Sequence, residues 1–442
     1  MNETQNIQWY KAQFEFFEKS LNGESRSHLH MLRRQAMVAF ESLGFPTTRH
    51  EEWRFTNIAP IAKAELAPVL DYSGAGVAEA DLARFTFGGP EGTRAVFING
   101  HFSPEFSSLQ TRPGVRIGSL KEATTRDAEI VNRHLARYVK SDENAFTALS
   151  TAFVRDGAFI HVDRNVEVVN PIHLVFIVAG SGIAVSPRNL VVTERGSKVS
   201  IVETYVSLAA TQYLTNAVTE FVVGENATVE HDKLQDESLN GFHIGTIHFQ
   251  QSAGSRVVSN AINLGGAIVR NNITAVLDGE GSEATLNGLS LATGTQHMDN
   301  HTTIDHTKPN CASHELYKAI LDGKSKGVFN GKIFVRKDAQ KTDAKQTNKT
   351  LLLSDEATID TKPQLEIFAD DVKCTHGATV GHLDDEQKFY LRSRGIGSRE
   401  AEDLLTFAFA SDVINRVHVE ALRERLDAML HERLQSGRQS RE

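Results

Sequence analysis

A thiol and an imidazole two residues apart, Cys374 and His376 in the run Asp370-Asp-Val-Lys-Cys-Thr-His-Gly-Ala-Thr379, are the sharpest chemical signal in the chain. On an extended strand, residues two apart share a face, so sulfur and ring project side by side, roughly 6 to 7 Å apart at the backbone. Thiolate with imidazole suits iron, copper or zinc, or an iron-sulfur cluster, and two ligands leave a coordination sphere half empty. The other donors must come from elsewhere in the fold, from solvent or from another subunit. The plainer reading of C-x-H is a packed cysteine beside a hydrogen-bonded core histidine.

A second cluster, His297, Asp299, His301, Asp305, His306, Cys311 and His314, is dense in metal-capable groups. Its spacing argues against convergence, because these positions alternate faces along an extended chain. Polar ladder positions account for most of them, and Cys311 is the member most worth following.

Other chemistry is excluded by what is missing. No G-x-x-x-x-G-K-[ST] occurs, and the nearest stretch, Gly323 to Lys332, has the wrong spacing in a strand-rich context, so this chain is not expected to hydrolyse a nucleotide. C-x-x-C, H-E-x-x-H, G-x-S-x-G and a strand-helix G-x-G-x-x-G unit are absent too. Two cysteines cannot build a disulfide framework and suit a reducing compartment. With 47 basic and 56 acidic residues the net charge is -9, which excludes a chain-wide footprint for nucleic acid or anionic membrane. The charged start MNETQNIQWYKAQFEFF lacks a signal-peptide core, and the longest uncharged stretch, Leu174 to Pro187, is too short to span a bilayer. A cytoplasmic protein is expected, without nucleic acid or membrane as partner.

The elements that must position these groups fall into three zones, in keeping with 442 residues, more than a single core usually serves. Residues 1–150 form a helical and mixed zone. Trp9, Phe14, Phe16 and Phe17 precede a break at Asn22-Gly23, and Leu29, Leu32, Met37, Phe40 and Leu43 then recur at near-helical spacing. Ala95 to Asn99 reads as a strand and Glu122 to Tyr138 as helix. Residues 151–393 are almost all strand, with alternating, β-branched segments such as Leu190-Val-Val-Thr193 and Lys198-Val-Ser-Ile-Val-Glu203. A turn and strand start recurs there: Arg195-Gly-Ser-Lys-Val199, Glu225-Asn-Ala-Thr-Val229, Ala253-Gly-Ser-Arg-Val257 and Glu280-Gly-Ser-Glu-Ala284, at steps of 30, 28 and 27 residues. Asp355-Glu-Ala-Thr-Ile359 follows after 75 residues, near three units of 25. Such a period predicts a β-solenoid, with a β-sandwich or cupin-like barrel as the alternative. Residues 394–442 read as a helix that Ser398 can cap, with Glu400 and Glu402 in its first turn. Its apolar stripe runs through Leu404, Leu405, Ala408, Phe409, Val413, Val417, Leu422, Leu426 and Leu430. That stripe either packs on the chain's own solenoid or offers a docking face.

Asn330-Gly-Lys-Ile, Ala339-Gln-Lys-Thr, Leu351-Leu-Leu-Ser354, Lys362-Pro-Gln-Leu-Glu-Ile367, the Asp370 to Thr379 run and Phe389-Tyr-Leu-Arg-Ser-Arg-Gly395 together resemble the SufB/SufD family of iron-sulfur cluster assembly proteins, specifically its SufD branch. Glu51-Glu-Trp-Arg-Phe-Thr56 resembles the family's N-terminal signature, so the resemblance covers most of the chain. It implies a mainly β fold, a right-handed parallel β-helix flanked by helical regions. It also implies a non-catalytic scaffold that pairs edge to edge with a SufB-like paralogue and is bound, through residues 394–442, by a SufC-like ABC-type ATPase. Nucleotide energy would then enter from another chain, ATP-driven dimerisation of SufC moving the two solenoids. His376 is the residue on which the resemblance places a contribution to a nascent cluster at the subunit interface, with Cys374 as its matched neighbour. The cluster would be transient and shared with SufB, with no tightly bound cofactor in the isolated chain, which could pair with itself when alone. The competing expectation is a standalone metal-dependent enzyme using the His297 to His314 cluster.

Overall fold

The computed structural model describes residues 3–21, 27–74, 76–87, 92–209 and 211–439. Two sheets face each other across one apolar interior, and consecutive strands alternate between them, so each turn of chain lays one strand on each sheet. The first sheet runs from Val115–Ser119 and Ala158–Val162 through Arg188–Thr193, Leu214–Val223, Phe242–Gln251, Ile268–Leu277, His297–His306 and Lys326–Val335 to Thr358–Ile367. The second runs from Thr93–Ile98 and Ile172–Val178 through Lys198–Ser207, Thr228–Asp236, Arg256–Asn263, Glu283–Ala292, Ala312–Leu321 and Asp343–Leu352 to Lys373–Gly381. The neighbours pair in parallel, and the result is the expected parallel β-solenoid, of about 8 turns. Antiparallel strands close its first end, where Val115–Ser119 pairs with Ala158–Val162 and His101–Phe102 with Thr93–Ile98. The solenoid therefore recruits strands from before residue 151.

The repeating turn has a conformational cause. Gly196, Asn226, Gly254, Gly281, Asn310 and Lys341 occupy the same position two residues before a second-sheet strand, and all have φ between 56° and 71°. Glycine and asparagine tolerate that left-handed backbone best. Each donates its N–H to the next turn, as in Gly196 to the Glu225 carbonyl at 2.8 Å and Asn310 to that of Gln340 at 2.9 Å. Three of the copies, at Asn226, Asn310 and Lys341, lack the Gly-Ser pair. The Asp355 copy belongs to the other sheet, because it leads into Thr358–Ile367. Its 75-residue offset is thus not three short coils.

The helices pack on the outside. Glu3–Ser20 and His28–Leu43 form as expected, with Ser27 capping the second by accepting from the His30 N–H; the break at Asn22-Gly23 lies outside the described residues. Glu122 to Tyr138 is two short helices, Leu120–Arg126 and Ala128–His134, parted at Asp127. The C-terminal region starts earlier than residue 394, with a helix at Asp385–Ser393 capped by Asp384. The single long terminal helix is in fact two, Ser398–Ile414 and Glu420–Gln439, and Gly397 rather than Ser398 holds the first cap position. Val413, Val417, Leu422, Leu426 and Leu430 from the predicted stripe bury themselves against Val202, Leu234, Ile262, Leu289 and Ile320 on the outer face of the second sheet. Lys318 fastens the pair, reaching the Phe409 carbonyl at 3.0 Å and Asp412 at 2.8 Å.

Candidate functional site

The far end of the solenoid is open. Among the described residues, Thr358–Ile367 and Lys373–Gly381 are the last strands of the two sheets, each with a strand neighbour on one side only. Pro363, which has no N–H to give, sits on the first of them, an edge position where proline is tolerated. Cys374 and His376 lie on the second. Alternation turns both toward the interior, where Cys374, half-buried, packs on the rim of the core while His376 is exposed. Burial, and then the charge of Asp343, push the Cys374 thiol above its ordinary value. Among the described residues no three His, Cys, Asp or Glu side chains gather in a metal-binding geometry. A metal at Cys374 and His376 needs further donors.

Beneath His376 the interior turns polar. Its register partner is Gln346, and the partner of Gln346 is Glu315. Both are almost fully buried, 2% and 3% exposed, and the Gln346 Nε2 donates to Glu315 Oε2 at 2.6 Å. Burial lifts the Glu315 carboxyl to about 7, against lowering by Gln346 and Thr302. Gly331 makes room: a Cβ there would stand 2.2 Å from the Gln346 Nε2.

The second histidine cluster does not assemble. His306 faces the interior and meets Ser313 at 2.9 Å, whereas Asp305 faces outward and pairs with Arg336 at 2.8 Å. His314 lies on the other sheet. Cys311 occupies the turn stack that Ser197, Ser255 and Ser282 fill in other coils, its Sγ 3.3 Å from the Gly279 carbonyl, and is buried as a packing residue.

His297, Asp299 and His301 instead form the seat of Glu51 to Thr56. The Thr56 hydroxyl donates to Asp299 Oδ2 at 2.6 Å and stands 2.9 Å from His297 Nε2. Arg270 lies over the Trp53 ring, donates to the Glu52 carbonyl at 2.7 Å and pairs with Asp299 at 2.8 Å. Burial opposes ionisation of Asp299, but His301 and Arg270 outweigh it and hold that carboxyl well below the usual range. Glu52 reaches His301 and Lys332, and Glu51 reaches Lys362 at 2.6 Å. This strap thereby crosses four successive strands of the first sheet and ends on its edge strand. The sequence marked Glu51 to Thr56 only through its resemblance to a family signature and carried no signal for what the segment touches; acidic residues facing lysines about one coil apart, 332 and 362, are the trace it leaves.

Beyond the open end, Ile367, Phe368 and Val380 are exposed, and Phe389 and Tyr390 on Asp385–Ser393 are exposed with Leu404. No helix among the described residues is long and apolar enough to cross a membrane.

Comparison with known proteins identifies the family. The family model described as SUF system FeS cluster assembly, SufBD core domain, matches residues 176–409, and that of the SufBD protein N-terminal region matches 3–174. The chain is 36% identical to an iron-sulfur cluster assembly SufBD family protein of Synechocystis, over 92% of this chain and 91% of that one. It is 31% identical to the iron-sulfur cluster assembly protein SufD of Escherichia coli, over 99% and 98%. With SufD of Bacillus subtilis it shares 28%, over 91% and 93%. The chain accordingly belongs to the SufBD family of SUF-system iron-sulfur cluster assembly proteins.

Proposed function

We propose that this chain is a non-catalytic scaffold subunit of the SUF assembly complex, contributing His376 and Cys374 to a nascent iron-sulfur cluster shared with a SufB-like paralogue. The observation that carries this reading is the open end: two edge strands, each with one free side, and a thiol and an imidazole side by side on one of them. Unpaired edges invite another chain, and the same strand would bring the two ligands against it. An incomplete ligand set suits a site that must release its product, since a closed sphere would retain it. The paralogue supplies the remaining donors, and a second copy of this chain can take the same edge when the paralogue is absent.

A SufC-like ABC ATPase docks on the C-terminal helical region and hydrolyses ATP. Because the stripe from Val413 to Leu430 is spent on the chain's own solenoid, its docking face is built on the exposed Phe389, Tyr390 and Leu404 instead. ATP-driven dimerisation of the ATPase shifts the two solenoids and opens the seam at His376 and Cys374 to iron and sulfur. Two free cysteines fit work in the reducing cytoplasm. Nothing in the geometry favours a standalone metal enzyme, whose ligands would be divided between two sheets and two faces.

Anaerobic co-expression with SufB-like and SufC-like neighbours, followed by affinity recovery, tests the reading. Both partners with iron matched by sulfide are expected, and His376→Ala is expected to lose the iron while keeping the partners. Recovery of the chain alone with a tightly bound metal would overturn it. Cross-links from Cys374 across the seam should differ with and without ATP; identical cross-linking would refute the gating.

A further inference from the structure

The interior column below the open end is built for more than packing. Parallel strands stack side chains at about 4.8 Å per rung, so Glu315, Gln346 and His376 rise as three consecutive rungs of one row. An apolar residue at 315 would avoid burying a carboxyl, which is costly in a water-free interior. Here the carboxyl is kept, and one of its oxygens is taken by the Gln346 amide nitrogen. Gly331 vacates the space that the amide fills. With its nitrogen committed to Glu315 on the rung below, the amide has its oxygen turned away from that carboxyl. That Gln346 Oε1 is buried and has no hydrogen-bond partner, and a buried acceptor left unmatched is uncommon and costs free energy.

Metal-ligating histidines generally donate their second ring N–H to a carbonyl or carboxylate, which fixes tautomer and ring orientation. Resting on the cluster-site reading above, we propose that Gln346 is the positioning residue for His376, accepting the ring N–H through Oε1, and that Glu315 is the anchor that aims the Gln346 amide. The ring turns inward to make this bond when the open edge is covered or the other ring nitrogen takes a metal. A carboxylate at 346 would itself attract a cation and compete for it; an amide, neutral and held from below, orients the histidine without becoming a ligand.

The test uses the full chain, labelled with 15N-histidine, with the His376 resonances assigned by difference from His376→Ala. Zn2+ serves as the probe, its affinity measured by competition with a chromophoric chelator. With Zn2+ bound, wild type should show His376 in one fixed tautomer. Gln346→Leu and the milder Gln346→Asn, which keeps an amide but withdraws it by one methylene, should average the ring tautomers and weaken Zn2+ about 10- to 100-fold. Glu315→Leu should do the same, whereas Glu315→Gln, whose amide oxygen still accepts from Gln346, should behave as wild type. A fixed tautomer and unchanged affinity in Gln346→Asn and Glu315→Leu would overturn the proposal. The two readings separate cleanly: if His376→Ala leaves Zn2+ affinity unchanged the cluster-site reading fails, while the tautomer in the Gln346 variants still decides the positioning role.

Discussion

Replacing Glu315 with Gln should stabilise the protein in alkaline solution and leave it unchanged in acid. The wild-type carboxyl is 3% exposed, and burial lifts its pKa from 4.5 to about 7. Below pH 4.5 the group is protonated whether the chain is folded or not, and it costs nothing. As pH rises from there, the unfolded chain releases the proton while the folded chain retains it, so stability falls until the folded carboxyl ionises near pH 7. Each pH unit in that window removes about 1.4 kcal/mol, a total of roughly 3 kcal/mol. Gln keeps the shape, offers Gln346 an amide oxygen and has no proton to lose. Urea denaturation of both proteins at pH 4.5, 6 and 8 gives the answer. Curves that coincide at pH 4.5 and separate by about 3 kcal/mol in favour of the variant at pH 8 are expected. A variant equally stable or weaker at pH 8, or a difference that does not change with pH, would refute the argument.

Removing one partner of the buried Arg270–Asp299 pair, as in Asp299→Ala, should cost about 3 to 5 kcal/mol by denaturant titration, because it strands a guanidinium beneath Trp53. His376→Ala, at an exposed edge position, should stay within about 0.5 kcal/mol of wild type while losing cluster formation on the assembled complex. Leu426→Ala, 2% exposed between the terminal helices and the second sheet, should cost about 2 to 5 kcal/mol and raise protease cleavage after residue 394. Gly331→Ala forces the Gln346 amide aside and should lower the melting temperature, an effect that Gln346→Ala in the same chain should relieve.

The solenoid was legible because its turn imposes a residue type. A left-handed position accepts Gly or Asn, and Gly196, Asn226, Gly254 and Gly281 announce it at nearly even steps. The trail faded where Cys311 follows Asn310 and where Lys341 adopts the same φ without help from its side chain. The stacked row inside the lumen was hidden for a different reason. Glu315, Gln346 and His376 align only once the coil length at each turn is known, and that length varies with every loop. Periodicity identified the apolar stripe after Leu404 but could not say where the helix breaks or which surface it covers. The strap was least visible, since Glu51 and Lys362 are 311 residues apart and pair only through the completed fold.

That separation has a consequence for biogenesis. Synthesis delivers Glu51 and Glu52 early and Lys362 only 311 residues after Glu51, so the N-terminal segment waits through most of translation for the strand on which it finally closes. Contacts at 218, 280 and 311 residues' remove form in sequence as successive coils emerge, like a zip whose slider starts at the wrong end of the garment. A chain truncated before residue 358 would lack the last tooth. The edge strand is therefore tied to the N-terminal segment only once Lys362 has been made.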